Sequence, residues 1–149
     1  MRARRVGAAG RRAPGAGNAM NPQIDNPQTD HGTASPAVVY KIVSADLWRT
    51  AVTDGVFRGA PVDHRDGYIH LSTAGQVRET AARHFAGLDD LVLVAVDAAA
   101  LGPALRFEPS RGGALFPHLY GDLPVAAAIA ATALPLGPDG AHRFPEALP

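Results

Sequence analysis

At residues 66–73 the chain reads DGYIHLST, a short apolar strand pattern that runs straight into a helix start. Residues 68–71 are too few and too apolar for an independent helix, and Thr73 with Gln76 predicts a capping box for the helix that follows. His70 therefore lies between a strand and a helix N-terminus, where anions and polar ligands tend to bind. The stretch indicates a small α+β domain with a polar site.

The segments before this stretch have clear local signals. Residues 37–43 are β-branched and aromatic, which predicts a strand, and Ser44 and Gly55 mark the start and end of a helix over 44–54. Residues 56–67 are rich in Gly, Pro and charged residues and are predicted to form a surface loop.

The segments after it complete the prediction. The second helix is expected to end near Phe85. Residues 91–97 are apolar throughout, which is typical of a central strand covered on both faces. Further strands are predicted at 105–108 and, because β-branched residues and prolines outweigh the alanines, at 125–134. These patterns predict an α+β fold with two short helices.

The first 35 residues differ from the rest of the chain. They are rich in Gly, Ala, Pro, Asn and Arg and have no apolar periodicity, so we predict that they are disordered. An over-extended start, with translation beginning at Met20, is the other explanation of this composition. Residues 36–149 are numerous enough for a hydrophobic core and are predicted to form a single domain.

Composition argues against several classes of protein. The absence of cysteine removes any thiolate nucleophile and fits a reducing cytoplasm. Five arginines lie within residues 1–20, and the other nine basic residues are outnumbered by fourteen acidic ones, so no basic face for nucleic acid is expected. No apolar run reaches the length of a membrane span. We predict a cytoplasmic protein with a small-molecule ligand, no nucleic acid partner and no membrane partner.

His70 and Ser72 are predicted to line one cleft, because side chains two residues apart on a strand share a face. The imidazole could donate to a ribose or a carbonyl, act as a general base, or ligate a metal. It could equally be a core histidine bonded to a backbone carbonyl. Ser72 has no nucleophile elbow around it, which disfavours a nucleophilic role.

A second informative stretch is LFPHLYG at residues 115–121, which follows a lone glutamate, Glu108. Glu108 could orient a hydroxyl or stabilise a developing positive charge, or it could be an outward residue paired weakly with Arg106 or Arg111. His118 and Tyr120 alternate and so share a face, where they could stack on a ring or hydrogen-bond to it. The stretch could instead pack as a rigid loop over the sheet.

A metal site is disfavoured. His64, His70 and His118 could form a three-ligand site with Asp66 or Glu108, but no two of these histidines have the two- or four-residue spacing that would preorganise it.

Four ordered segments resemble the bacterial family numbered 952 among domains of unknown function, DUF952. They are VYKI at 39–42, DGYIHLST at 66–73, FE at 107–108 and LFPHLYG at 115–121. The resemblance spans about residues 37–136. It implies an ADP-ribosyltransferase-like fold, in which a split, mixed β-sheet forms a cleft that in relatives grips NAD.

The resemblance also implies roles for single residues. His70 and Glu108 would be catalytic, the first holding a ribose and the second steering a 2′-hydroxyl and stabilising an oxocarbenium-like state. Ser72, His118 and Tyr120 would bind the ligand. ADP-ribosyltransferases carry their glutamate last, whereas Glu108 precedes His118 and Tyr120 here.

The leading hypothesis is therefore a polar cleft that binds NAD or a related nucleotide-like molecule, in an ADP-ribosyl-type transferase or glycohydrolase. A catalytically silent module that binds a small molecule or a partner stays open as the alternative. A metal-assisted hydrolase is a third, less favoured hypothesis.

Overall fold

The computed structural model describes residues 35–149, which form eight strands and four α-helices. In chain order they are β1 (Val38–Ser44), α1 (Ala45–Asp54), β2 (Val56–Phe57), α2 (Pro61–Asp66), β3 (Ile69–His70), α3 (Val77–His84), β4 (Leu91–Asp97), α4 (Ala98–Leu101), β5 (Leu105–Pro109), β6 (Leu115–Leu119), β7 (Leu123–Pro124) and β8 (Ala128–Leu134). The prediction of disorder over residues 1–35 falls, except for Ser35, outside the described residues.

The strands form three sheets. The first has the order β1-β4-β8, the second pairs β2 with β7, and the third has the order β3-β6-β5. Every pair within residues 35–149 is antiparallel. The α+β class is confirmed, and antiparallel sheets replace the mixed sheet that the family resemblance implied.

The first sheet is buried on both faces. On one face, Val39, Val43 and Val94 belong to a core cluster that also includes residues of the other two sheets, such as Phe57 and Leu119. The opposite face belongs to a second cluster that contains Tyr40, Ile42, Val77, Leu93 and Leu134, against which the C-terminal Phe144 and Leu148 pack. This two-sided burial is what the apolar run at 91–97 predicts for the central strand β4.

Helix α1 has the ends that its sequence predicts. The Ser44 hydroxyl accepts a hydrogen bond from the Leu47 N–H at 3.2 Å. Gly55 closes the helix in the left-handed conformation (φ 81°), which a residue without a Cβ adopts at little cost. Trp48 and Ala51 are buried on its inner side.

The capping box predicted before α3 is present in part. The Thr73 N–H donates to Gln76 Oε1 at 3.1 Å. The regular helix begins at Val77 and ends at His84, close to the predicted end. The predicted strand at 125–134 is confirmed over Ala128–Leu134, while Val125–Ala127 forms a 3₁₀ turn.

The predicted loop over residues 56–67 is wrong. It contains the strand β2 and the six-residue helix α2. With α4, which was also not predicted, the described residues have four α-helices where two were predicted. Pro61 fits the first turn of α2, where a missing N–H costs nothing, and the Asp63 carboxylate accepts from the Ala60 N–H at 2.8 Å. The short helix α4 is capped by Asp97, whose carboxylate accepts from the Ala99 N–H at 3.1 Å.

A helix that crosses a membrane must be both long and apolar. Within residues 35–149, no helix has the length and apolar character needed to cross a bilayer.

The central strand gives a stability prediction. Leu93 is fully buried, with 0% of its surface exposed. We expect Leu93→Ala to lower the free energy of unfolding by about 2–5 kcal/mol, because it removes buried methyl groups and leaves a cavity. Val52→Ala is the control, since Val52 is 53% exposed, and it should change stability by less than about 0.5 kcal/mol. Urea unfolding of both variants measures the difference, and equal losses would contradict the assigned core.

Candidate functional site

The third sheet brings the two histidines of the sequence motifs together. His118 on β6 lies opposite His70 on β3 and opposite Arg106 on β5. The centroids of the two imidazole rings are 5.9 Å apart. The strand register thus places the DGYIHLST and LFPHLYG stretches in one site.

Asp63 of α2 is the centre of the first polar cluster. One carboxylate oxygen, Oδ1, accepts from the His70 backbone N–H at 3.0 Å and lies 2.7 Å from His70 Nδ1. The other, Oδ2, lies 3.0 Å from Lys41 Nζ and accepts from the Ala60 N–H at 2.8 Å. Lys41 Nζ also donates to the His70 carbonyl at 3.0 Å. A single carboxylate therefore connects β1, α2 and β3.

The ion pair between Lys41 and Asp63 is buried. The side chains of Lys41 and Asp63 are only 5% and 2% exposed. Burial tends to raise the pKa of Asp63, but the hydrogen bond from His70, the charge of Lys41 and two backbone N–H groups outweigh it and hold that pKa well below its usual range. Burial lowers the pKa of Lys41, and Asp63 opposes this effect. The aspartate is therefore ionised near neutral pH, and its charge favours the protonated form of Lys41.

His70 is held at both ring nitrogens. Its Nε2 lies 2.9 Å from Asp66 Oδ2, on the side of the ring opposite Asp63. Hydrogen bonds from Arg65 and His70 keep the pKa of Asp66 below its usual range. Carboxylates can only accept, so only a protonated imidazole donates to both aspartates, and a neutral ring donates to one of them.

Glu108 of β5 organises a second polar cluster. Its Oε1 lies 2.8 Å from His118 Nδ1 and accepts from the Tyr120 hydroxyl at 2.7 Å. These two hydrogen bonds lower the pKa of Glu108, and the bond to Glu108 raises the pKa of Tyr120. An ionised Glu108 requires a proton on His118 Nδ1, so in the neutral ring the lone pair is on Nε2. The Arg106 guanidinium lies 4.9 Å from the centroid of the Tyr120 ring.

Tyr68 joins the two clusters. Its ring stacks on His118 with centroids 4.1 Å apart, and its centroid is 4.7 Å from that of His70 and 5.4 Å from that of Tyr120. Sequence reasoning did not assign Tyr68 to the site. The available signal was its position two residues before His70, which places both side chains on one face of an extended segment.

Ser72 lies deeper than the histidines. It is buried, and its backbone N–H and C=O pair with Tyr40 of β1. Its hydroxyl lies 3.0 Å from the Thr80 hydroxyl of α3. Ser72 therefore connects the first sheet to α3 at the base of the site.

These residues border an open cleft of about 700 Å³. Three of the five predicted site residues line it, namely His70, Ser72 and His118. Glu108 and Tyr120 do not line it and lie behind His118, to which Glu108 is hydrogen-bonded. The lining also includes Tyr40, Lys41, Asp66, Tyr68 and Phe116, so both aromatic and charged side chains border the cleft.

Metal ligation needs several donor side chains in one place. Among residues 35–149, no group of three or more His, Cys, Asp or Glu side chains is arranged so that it could hold a metal ion.

The described fold and site can be compared with known proteins. Residues 42–131 match the family described as "Protein of unknown function (DUF952)". The chain belongs to this family. Both site stretches, 66–73 and 115–121, lie inside the matched region, whereas Tyr40 and Lys41 of the cleft lining precede it.

Solved structures support this assignment. The chain is similar to protein CC0527 from Caulobacter crescentus, whose crystal structure aligns with a TM-score of 0.69 and 47% identity over 71% of this chain and 93% of that chain. The solution NMR structure of CC0527 aligns with a TM-score of 0.65 and 47% identity over 71% of this chain and 91% of that one. No curated protein matches the chain.

The buried Asp63 gives a pH prediction. Its pKa is lower in the folded chain than the value of about 3.9 in an unfolded one. The stabilisation is therefore fully present above about pH 5 and is lost progressively as the pH falls from there towards the lower folded pKa. We expect the free energy of unfolding to fall more steeply with acid in the parent than in Asp63→Asn, with the two curves converging at low pH.

Urea unfolding across this pH range measures both curves. Asp46→Asn is the control, because its pair with Arg49 is exposed on α1 and exposed pairs contribute little. It should keep the parent's pH profile. Parallel curves for the parent and Asp63→Asn would contradict the assigned role of Asp63.

Proposed function

We propose that the cleft binds NAD or a related nucleotide-like molecule and that the chain is an ADP-ribosyl-type transferase or glycohydrolase. The observation that carries the proposal is the Glu108–His118 pair, which supplies an oriented base beside an aromatic, polar cleft. A volume of about 700 Å³ lies within the range of about 300–1,000 Å³ that is typical of small-molecule sites.

The proposed fold assignment has its own support. The cleft is lined by Tyr40 and Lys41 from the first sheet and by His70 and His118 from the third. A cleft between separate sheets is compatible with the split sheet that the ADP-ribosyltransferase-like resemblance implies, although the strands here pair antiparallel. We therefore retain this fold assignment as part of the proposal.

The site offers binding groups for each part of a nucleotide. The partly exposed ring of Tyr68 provides a surface on which a base or a nicotinamide ring could stack, and the buried rings of Tyr40 and Phe116 lie beneath the cleft. The ribose hydroxyls would hydrogen-bond to the Asp66 carboxylate and the His70 ring. The Arg65 side chain, which is exposed beside Asp66, would contact a phosphate.

Hydrolysis of NAD at the nicotinamide ribose would use His118 and Asp66. His118 Nε2 takes a proton from water, and the water oxygen forms a bond to C1′ of the nicotinamide ribose. The bond between C1′ and the nicotinamide nitrogen breaks, and its electron pair leaves with neutral nicotinamide, so no general acid is needed. The ionised Asp66 is the cleft carboxylate that would stabilise the oxocarbenium-like state. In this scheme Glu108 is a positioning residue that acts through His118.

A silent binding module remains a second candidate, because one observation favours it. Both ring nitrogens of His70 are occupied by carboxylates, and the side chain of His118 is only 4% exposed. A binding module would need the shape and polarity of the cleft but no accessible base.

Ligand binding and turnover separate the two functions. NAD at 100 times its dissociation constant should stabilise the full chain by about 2.7 kcal/mol, which raises the melting temperature by several degrees. His70→Ala should abolish this shift, whereas His142→Ala, whose ring bonds to the Leu88 carbonyl away from the cleft, should keep it. No shift with NAD, ADP-ribose or nicotinamide would contradict the nucleotide proposal.

Release of nicotinamide from bound NAD tests the chemistry. Glu108→Gln should slow release by about 10²-fold or more and leave NAD affinity nearly unchanged, because it weakens the base without altering the lining of the cleft. NAD binding without release by the parent would favour the binding module.

A further inference from the structure

We propose that Asp63 is a positioning residue for His70: it keeps a proton on Nδ1 and leaves Nε2 as the atom that exchanges a proton with Asp66 or with a ligand in the cleft. The use of His70 by a ligand rests on the proposed function. The placement of the proton rests on geometry alone.

Asp63 restrains His70 at two points. The Oδ1 atom of Asp63 lies 3.0 Å from the backbone nitrogen of His70 and 2.7 Å from its Nδ1. The first contact holds the main chain of β3 and the second holds the ring. One carboxylate oxygen therefore fixes both the backbone of His70 and the orientation of its ring.

Lys41 in turn holds Asp63. Its ammonium group lies 3.0 Å from Oδ2 of Asp63 and also donates to the His70 carbonyl at 3.0 Å. A buried carboxylate that lost these partners would be left without solvent to replace them. Lys41, Asp63 and His70 thus form a closed triangle of contacts.

The two carboxylates beside His70 are not equivalent. The Asp63 side chain is 2% exposed, whereas the Asp66 side chain is 32% exposed. When the imidazole is neutral it has one proton for two acceptors. Water can replace the ring as a donor to Asp66 but not to Asp63, so the proton stays on Nδ1. The Nε2 atom of the neutral ring then carries the lone pair, and its 2.9 Å contact with Asp66 Oδ2 is a hydrogen bond only when Nε2 also holds a proton.

The other groups around the ring do not reverse this preference. Tyr68 and His118 present ring faces and edges to His70, with centroids 4.7 Å and 5.9 Å away, and Lys41 contacts its carbonyl oxygen. The only carboxylates that the described residues place within hydrogen-bonding distance of the ring are Asp63 and Asp66.

Nitrogen NMR of the ring tests the proposal directly. Long-range ¹H–¹⁵N correlation spectra of the ¹⁵N-labelled full chain distinguish a protonated from an unprotonated ring nitrogen, and His70→Gln assigns the His70 signals. In the neutral ring we expect the proton on Nδ1. A neutral His70 with its proton on Nε2 would overturn the proposal, and this measurement on the parent needs no destabilised variant.

Two charge-removing variants sharpen the test. In Asp63→Asn, Asp66 is the remaining carboxylate, so the major neutral tautomer should change from Nδ1–H to Nε2–H. In Asp66→Asn the Nδ1–H form should persist. An Asp63 that served only to cap α2 and pair with Lys41 would leave the tautomer of Asp63→Asn unchanged, and that result would overturn the proposal.

NAD added to the same labelled chain separates this inference from the proposed function. An Nδ1–H tautomer with no NAD-induced change at His70 would overturn NAD binding and support the role of Asp63. An Nε2–H tautomer together with an NAD-induced change at His70 would overturn the role of Asp63 and support NAD binding.

Discussion

The site depends on the buried contact between Asp63 and Lys41. A carboxylate with 2% of its side chain exposed would be unfavourable without partners, and here it has an ammonium group, two backbone N–H groups and an imidazole. Those partners come from β1, the start of α2 and β3. Asp63 therefore caps the N-terminus of the six-residue helix α2 and binds the backbone of β3, which bears His70. Its ion pair with Lys41 attaches both elements to the first sheet.

The rest of the site is built on this attachment. Strand β3 has only two residues, and its pairing with β6 sets His70 beside His118. Tyr68 then contacts both histidine rings, and Glu108 is hydrogen-bonded to His118. Two neighbouring histidine–carboxylate pairs therefore share one tyrosine ring. The cleft between the first and third sheets has acidic and aromatic lining residues, and the proposal of nucleotide binding rests on them.

Local patterns in the sequence predicted the parts of the fold that local forces determine. The Ser44 cap, the Gly55 terminus and the apolar run of β4 are examples, since their signals lie within a few residues. Helix α2 was missed because Asp63 is stabilised by Lys41, 22 residues away. Sequence patterns identified His70, Ser72, Glu108, His118 and Tyr120 as site residues but did not identify Lys41. Lys41 has the pattern of an ordinary polar residue in a strand, although it shares a strand face with Val39 and Val43. Only the tertiary fold shows that this face is buried.

A double-mutant cycle on Lys41 and Asp63 tests the central claim most directly. Urea unfolding would compare the parent with Lys41→Met, Asp63→Asn and the double variant. Lys41→Met alone should cost about 3–5 kcal/mol, because it leaves a buried carboxylate without its counterion. The loss of unfolding free energy in the double variant should be smaller than the sum of the two single-variant losses by about 1–3 kcal/mol. Losses that add to within about 0.5 kcal/mol would show that the pair is not coupled and would contradict the account.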